Sequence, residues 1–310
     1  MKRINFFSIW ALLLSLSIFL FSCEKEVSFD FKDSEKKTVV EGFIDKGAPP
    51  IVRLSNSMSY FGLIDFQNLG DIFIHDAYVE VSDGNRKVIL KEYSINFPDT
   101  DFMFYYYSVD SSKPADLDFL GELGKTYSLK IIKDADTFYS KTHIPHPKPL
   151  DSLWTQIPDS DWITDSFPNA RELYALYNDP DTLGNFARIF TSINGAPFYT
   201  GGMSVLSDEL GNGVEINIPL SPGISPGDTS TDFASRYYFN LNDTVIVKWS
   251  AIDKATYDFY NSLEFSVGLT GNPFAAPIHL ITNIEGKNVL GVWAGYGSTY
   301  HSIIIKDPEP

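Results

Sequence analysis

Cys23 is the single cysteine among 310 residues, and its setting removes thiol chemistry from whatever the chain folds into. Lys2 and Arg3 precede an apolar run from Phe6 to Phe21, and Leu20-Phe21-Ser22-Cys23 puts a small residue directly before the cysteine. A membrane-spanning helix needs about 20 apolar residues, more than this run supplies. The pattern is that of a bacterial lipoprotein signal, so residues 1–22 are expected to be removed and Cys23 to become the lipidated first residue of the mature chain. At about 0.8 kcal/mol per buried methylene, one acyl chain holds a protein only marginally, whereas two or three hold it firmly on the bilayer. With its sulfur given to lipid, the folded part has no disulfide, no cysteine nucleophile and no cysteine-bound metal. Packing alone must hold it together.

Loss of Lys2 and Arg3, and of no acid, takes 24 basic and 40 acidic residues to 22 and 40, a formal charge of −18. Affinity for phosphate backbones comes from clustered Lys and Arg, so nucleic acid is excluded as a partner. The acids are spread through loops, among them Asp99, Asp116, Asp134, Asp159 and Asp181, and read as a solvated surface. A mature length of 288 residues suffices for one large domain or two ordinary ones. Phe and Tyr, 24 and 17 of them, favour half-buried pleated surfaces over helices, and the expectation is a mainly β protein.

Short alternating segments bear this out along the chain. Residues 23–36 are mostly charged and read as a tether. Thr38–Ile44 and Pro50–Leu54 form one hairpin, Ala77–Ser82 and Lys87–Leu90 another around Asp83-Gly84, and Gly124–Ile132 and Thr137–Thr142 a third, with Phe102–Val109 as a strand between them. Strands at this spacing predict an immunoglobulin-like β-sandwich over residues 37–148. Pro145, Pro147 and Pro149 cannot continue a ladder and mark a boundary. Residues 149–310 are expected to form a second β-rich domain, with strands at Leu153–Thr155, Glu172–Tyr177, Phe186–Ile193, Val214–Ile218, Tyr237–Phe239 and Thr244–Trp249. A helix is predicted near 253–267, capped by Asp253, stapled by Ile252 and Tyr257, with Tyr257, Tyr260, Leu263 and Val267 on one face.

Catalytic motifs are missing from the sequence: there is no Gly-x-Ser-x-Gly elbow, and the glycines at 268–271 and 291–297 fit no phosphate-binding pattern and read as turns and bulges. His143 and His146 form a His-x-x-His pair, but Pro145 and Pro147 keep it off a helix, so no metal role is assigned. Asp159, Asp161 and Asp165, and Asn178, Asp179 and Asp181, offer oxygen ligands of the kind weak extracellular calcium sites use, without the EF-hand pattern; no other cofactor is expected. The sharpest lead is aromatic. Phe102, Phe104, Tyr105, Tyr106 and Tyr107 load both faces of one strand, which makes them candidates for a protein partner's contact surface, since Tyr, Phe and Met concentrate at interface cores. Buried contact within the chain is the alternative.

Cys23-Glu24-Lys25-Glu26, Val39–Ile44, Val81–Gly84, Tyr139–Pro145 before Leu150–Leu153, Asn185–Arg188, Asn272–Pro277 and Thr282–Gly286 leading to Leu290-Gly291-Val292 follow one another in an order that resembles a family of Bacteroidota lipoproteins, the domain-of-unknown-function 4249 family. Its genes often lie beside a TonB-dependent outer-membrane receptor. The resemblance implies a location and a neighbour, not a reaction. It leads to the expectation of an outer-membrane lipoprotein, on the cell-surface face or alternatively the periplasmic one, serving as an accessory binding subunit of a nutrient-uptake receptor. The alternatives are an anchored hydrolase of glycans or peptides, and a structural or adhesion module.

Overall fold

Alternation of period two is what the first half of the chain uses to build a core. The computed structural model describes residues 36–57, 72–96, 103–209, 211–225, 233–269 and 279–308. The signal segment, Cys23, the tether to residue 35 and Phe102 lie outside these described residues. Seven strands come first: β1 Thr38–Asp45, β2 Ile51–Asn56, β3 Tyr78–Ser82, β4 Lys87–Asn96, β5 Met103–Val109, β6 Thr126–Lys133 and β7 Asp136–His143. In β1, β2, β3, β4 and β6 alternate residues point inward, so that Val40 and Ile44, Val52 and Leu54, Val79 and Val81, Val88 and Leu90, and Tyr127, Leu129 and Ile131 meet in one apolar core, while β5 buries Tyr107, Ser108 and Val109 in succession. The outward-facing residues of those five alternating strands stay at least partly exposed. Both hairpins predicted around Asp83-Gly84 and Asp134–Asp136 are present.

The remaining strands are β8 Ser152–Gln156, β9 Ala170–Asn178, β10 Phe186–Ile193, β11 Val205–Ser207, β12 Glu215–Leu220, β13 Phe239–Asn240, β14 Thr244–Ile252 and β15 Val289–Ile304; the helices are α1 Asp161–Ser166, α2 Phe233–Tyr237 and α3 Lys254–Gly268. Strands β8, β12 and β13 all pair with β9, while β10, β11 and β14 extend the larger sheet. Leu173, Ala175 and Tyr177 of β9 face Ile189 of β10 and Val245, Val247 and Trp249 of β14 across a second core. The protein is mainly β, with sandwich-like sheets.

Strand β15 contributes Val289 and Trp293 to the first core and packs Ile303 against the second, and its Val292, Ala294 and Tyr296 form a third cluster with Phe259 and Tyr260 of α3. Its first half, Val289–Tyr296, runs parallel to β1, and its second half, Gly297–Ile304, runs antiparallel to β14. Trp293 is 0% exposed in the first core, where its indole N–H donates to Tyr127 O on β6 at 3.0 Å. Glu35–Pro310 accordingly forms one compact unit. The proline segment 145–149 does separate two apolar cores, but the sheet order runs across it through β14, β15 and β1.

Three local expectations are corrected. Gly291, Gly295 and Gly297 lie inside β15, not in turns; a side chain there would collide with backbone, at 1.8 Å from Val40 O, 2.6 Å from His143 O and 2.0 Å from Pro145 O respectively. Tyr237 ends α2, and only Phe239–Asn240 pair as a strand. Helix α3 has its predicted cap, with the Asp253 carboxylate accepting from Thr256 N at 2.8 Å, but Val267 is 64% exposed while Phe259, absent from the predicted face, is buried.

A candidate ligand cleft at the lobe junction

The glycines of β15 have a consequence for the surface. They let residues 143–145 lie directly on the strand, and Gly124 leaves room in the same way for the His146 ring, whose Nε2 would be 2.9 Å from an added Cβ. This fixes the connecting segment as one wall of a cleft of about 480 Å³. Its opposite wall comes from the loop Asp179–Asn185 and the start of β10, its floor from Tyr177, Leu206, Ile216, Ile218 and Trp249, and its end from Ile252, Asp253 and Lys254 at the cap of α3. The size falls in the range of about 300–1,000 Å³ typical of small-molecule sites, as does the arrangement of an apolar floor under a polar rim.

The rim is held by its carboxylates. Asp208 is buried and accepts from Gly184 N at 2.9 Å, Asn185 N at 2.9 Å and Asn185 Nδ2 at 3.0 Å, which shapes the loop over the cleft. Asp253 Oδ1 caps α3, and its Oδ2 accepts from Thr142 Oγ1 at 2.8 Å and His143 N at 2.9 Å, tying the helix to the end of β7. Asp179 Oδ2 accepts from Gly213 N at 3.0 Å. The cations pair with other acids: Lys148 pairs with Asp151 at 2.9 Å, with its ammonium 4.9 Å from the centre of the Tyr177 ring, and Lys254 pairs with Asp258 at 2.7 Å.

Tyr177 and Trp249 form the aromatic part of the floor, ring centres 4.9 Å apart. Tyr177 is only 8% exposed, and burial, followed by the charges of Asp179, Asp208 and Asp151, pushes its phenol up to about 12. It is therefore a hydrogen-bond donor at any physiological pH. Among the described residues its hydroxyl has no hydrogen-bond partner.

Of the residues lining this cleft, sequence reasoning considered His143, His146 and Asp179 only for metals and Ile252 and Asp253 only as staple and cap of the helix; no group of three His, Cys, Asp or Glu side chains among the described residues is placed to hold an ion. It missed Tyr177 and Trp249, whose strands were legible but whose convergence is tertiary, and Asp208, which follows the short strand β11 that the sequence reading did not predict. The aromatic strand lies elsewhere. Phe104 packs edge-on against Phe73 at 5.3 Å under the Arg53 guanidinium, Tyr105 against Phe73 and His75, and Tyr106 stacks on Tyr93 at 5.7 Å. These three are half-buried. Tyr107 is 2% exposed, its hydroxyl 2.9 Å from both Ile74 O and Glu92 Oε2, so it is a core residue and out of a partner's reach.

Fold and site together give a mainly β protein with a ligand-sized cleft beside the proline segment. The family described as Domain of unknown function (DUF4249) matches residues 24–302, and the chain belongs to that family. No curated protein matches it.

Proposed function

We propose that this protein is an outer-membrane-anchored lipoprotein acting as an accessory ligand-binding subunit of a TonB-dependent nutrient-uptake receptor. The observation that carries the binding role is the junction cleft: it is ligand-sized, apolar-floored, and its rim carboxylates are spent on backbone N–H groups that shape the walls. Carboxylates so committed serve the architecture, which is why binding is preferred to hydrolysis. The anchoring role rests on Leu20–Cys23, and the half-buried rings of Phe104, Tyr105 and Tyr106 on β5 supply the receptor contact.

Palmitate labelling with membrane fractionation tests the anchor: the parent chain takes up label and sediments with outer membranes, while Cys23→Ala does neither. Gentle solubilisation of those membranes is expected to co-purify a TonB-dependent receptor. A labelled Cys23→Ala variant removes the lipoprotein reading. Absence of any receptor removes the accessory-subunit reading and makes an anchored hydrolase the next hypothesis to assay on glycans and peptides.

A further inference from the structure

Resting on the reading of the junction cleft as a ligand site, the charge of its lining narrows what fits. Asp179, Asp208 and Asp253 all line the cleft, and none of them has a cationic partner among the described residues. Backbone N–H groups orient these carboxylates without cancelling their charge. The lysines of the lining do not cancel it either, because Lys148 is already paired with Asp151 and Lys254 with Asp258. Asp179 is the least committed of the three. The alternation that buries Leu173, Ala175 and Tyr177 carries on to Asp179 just past β9, leaving it 9% exposed; its Oδ2 accepts from Gly213 N, and its Oδ1 has no partner among the described residues. A second observation is independent of the acids: the hydroxyl of Tyr177 on the floor is also without a partner among the described residues, on a residue more than nine-tenths buried. After burial, the charges of Asp179, Asp208 and Asp151 are what hold that phenol protonated, so the fields of the carboxylates reach the free hydroxyl. No three acidic or histidine side chains among the described residues converge as a metal ion would need. The charge stands instead around the apolar surface of Trp249, Ile216 and Ile218. An anion would face three carboxylates there, and a sugar would leave hydroxyls unpaired over the isoleucines.

We propose that the cleft binds a small organic cation, an apolar body bearing a protonated amine, whose ammonium donates to Asp179 Oδ1 and to the Tyr177 hydroxyl oxygen while the body sits on Trp249, Ile216 and Ile218. The unbalanced carboxylates supply the attraction and the charge-assisted bond to Asp179 its direction. The apolar floor selects against small hydrated ions.

Fluorine NMR on the full-length lipoprotein in uncharged detergent micelles tests this with four probes of one fluorine each: 4-fluorophenethylamine, the matching 4-fluorophenethyl alcohol, 4-fluorophenylacetate and 2-fluoro-2-deoxyglucose. The amine is expected to broaden at lower protein concentration than the other three, and added salt should weaken its binding more than the alcohol's. Asp179→Asn keeps an oxygen for Gly213 N but removes the charge, so it should weaken amine binding about tenfold or more and leave alcohol binding unchanged. A merely structural role for Asp179 would move both probes alike. Tyr177→Phe keeps the ring and its packing and should weaken the amine by about two- to tenfold, the worth of one hydrogen bond, at an unchanged melting temperature. Protein-free micelles give the baseline for partitioning into detergent. The inference is overturned if the amine shows no broadening beyond that baseline, if the alcohol, the carboxylate or the sugar binds as tightly, or if either variant binds the amine as well as the parent does; should Asp179→Asn fail to fold, Tyr177→Phe decides. Tight sugar or carboxylate binding together with receptor co-purification overturns only the ligand class and leaves the accessory-subunit reading standing.

Discussion

Both oxygens of the Asp253 carboxylate are committed, one to the first turn of α3 and one to the end of β7. An N-cap is worth about 1 kcal/mol, and stranding part-buried donors adds about 1–3 kcal/mol, so Asp253→Ala should lose about 2–4 kcal/mol in denaturant unfolding, with Asp253→Asn losing less because its amide oxygen still accepts on one side. The cap was readable from an Asp ahead of an amphipathic run. The second attachment was not, because Thr142 and His143 are over a hundred residues away in sequence. His301 carries a comparable hidden role: its Nε2 accepts from Leu150 N at 3.3 Å, where the second lobe begins. Burial lowers its pKa below the ordinary value of 6.5. The unfolded chain therefore takes up a proton first as pH falls, so the folded state loses stability through 6.5 and carries the full penalty once the folded value is passed. Melting temperature should drop between pH 7.5 and 5.5, and less steeply in His301→Gln, whose amide oxygen can keep the Leu150 contact without titrating. An equal slope in the variant would assign the acid sensitivity elsewhere.

At the scale of elements, hydrophobic alternation made the hairpins of the first lobe and β9, β10 and β14 of the second legible, because half-buried strands write their burial into every second residue. The glycines of β15 obscured that strand's full length, since a residue selected for what backbone lies over it has no apolar pattern to show; Trp293, Tyr296 and Tyr300 read only as parts of a last hairpin. Gly297→Ala puts a methyl 2.0 Å from Pro145 O, and no side-chain rotation relieves contact with a carbonyl. Overpacking of this kind costs about 1–3 kcal/mol, and here relief requires the connecting segment to lift off β15, deforming the cleft wall. Gly268 at the end of α3 has nothing within 4 Å of an added Cβ and serves as the control. Calorimetry should show a lower melting temperature for Gly297→Ala and an unchanged one for Gly268→Ala; equal melting of the two would mean the segment is not pinned by the glycine.

For the whole molecule the question is whether two cores amount to two folding units. Prolines at 145, 147 and 149 argued for independence of residues 37–148, from the composition of the connection alone. A sequence read segment by segment does not reveal that its last strand returns to pair with its first, and the long-range pairing of Thr38–Asp45 with Val289–Tyr296 is of that kind. Two further links reinforce it at the crossing point: Lys248 on β14 pairs with Asp45 at the end of β1 at 2.6 Å, and Ser298 donates to the same carboxylate at 2.8 Å. A fragment ending at residue 148 would lack Ile284, Val289 and Trp293 from its core and leave the β1 edge open. Burying a Trp is worth about 3–5 kcal/mol by truncation, a large part of the 5–15 kcal/mol that holds a typical domain folded. The fragment 37–148 is therefore expected to show no cooperative thermal transition by calorimetry, and addition of a peptide spanning residues 279–296 in trans should restore one. Trp293→Ala in the full chain should lower both cores' stability together in a single shifted transition. A sharp transition in the isolated fragment, or a variant that melts in two separate steps, would show instead that β15 merely decorates two lobes that fold by themselves.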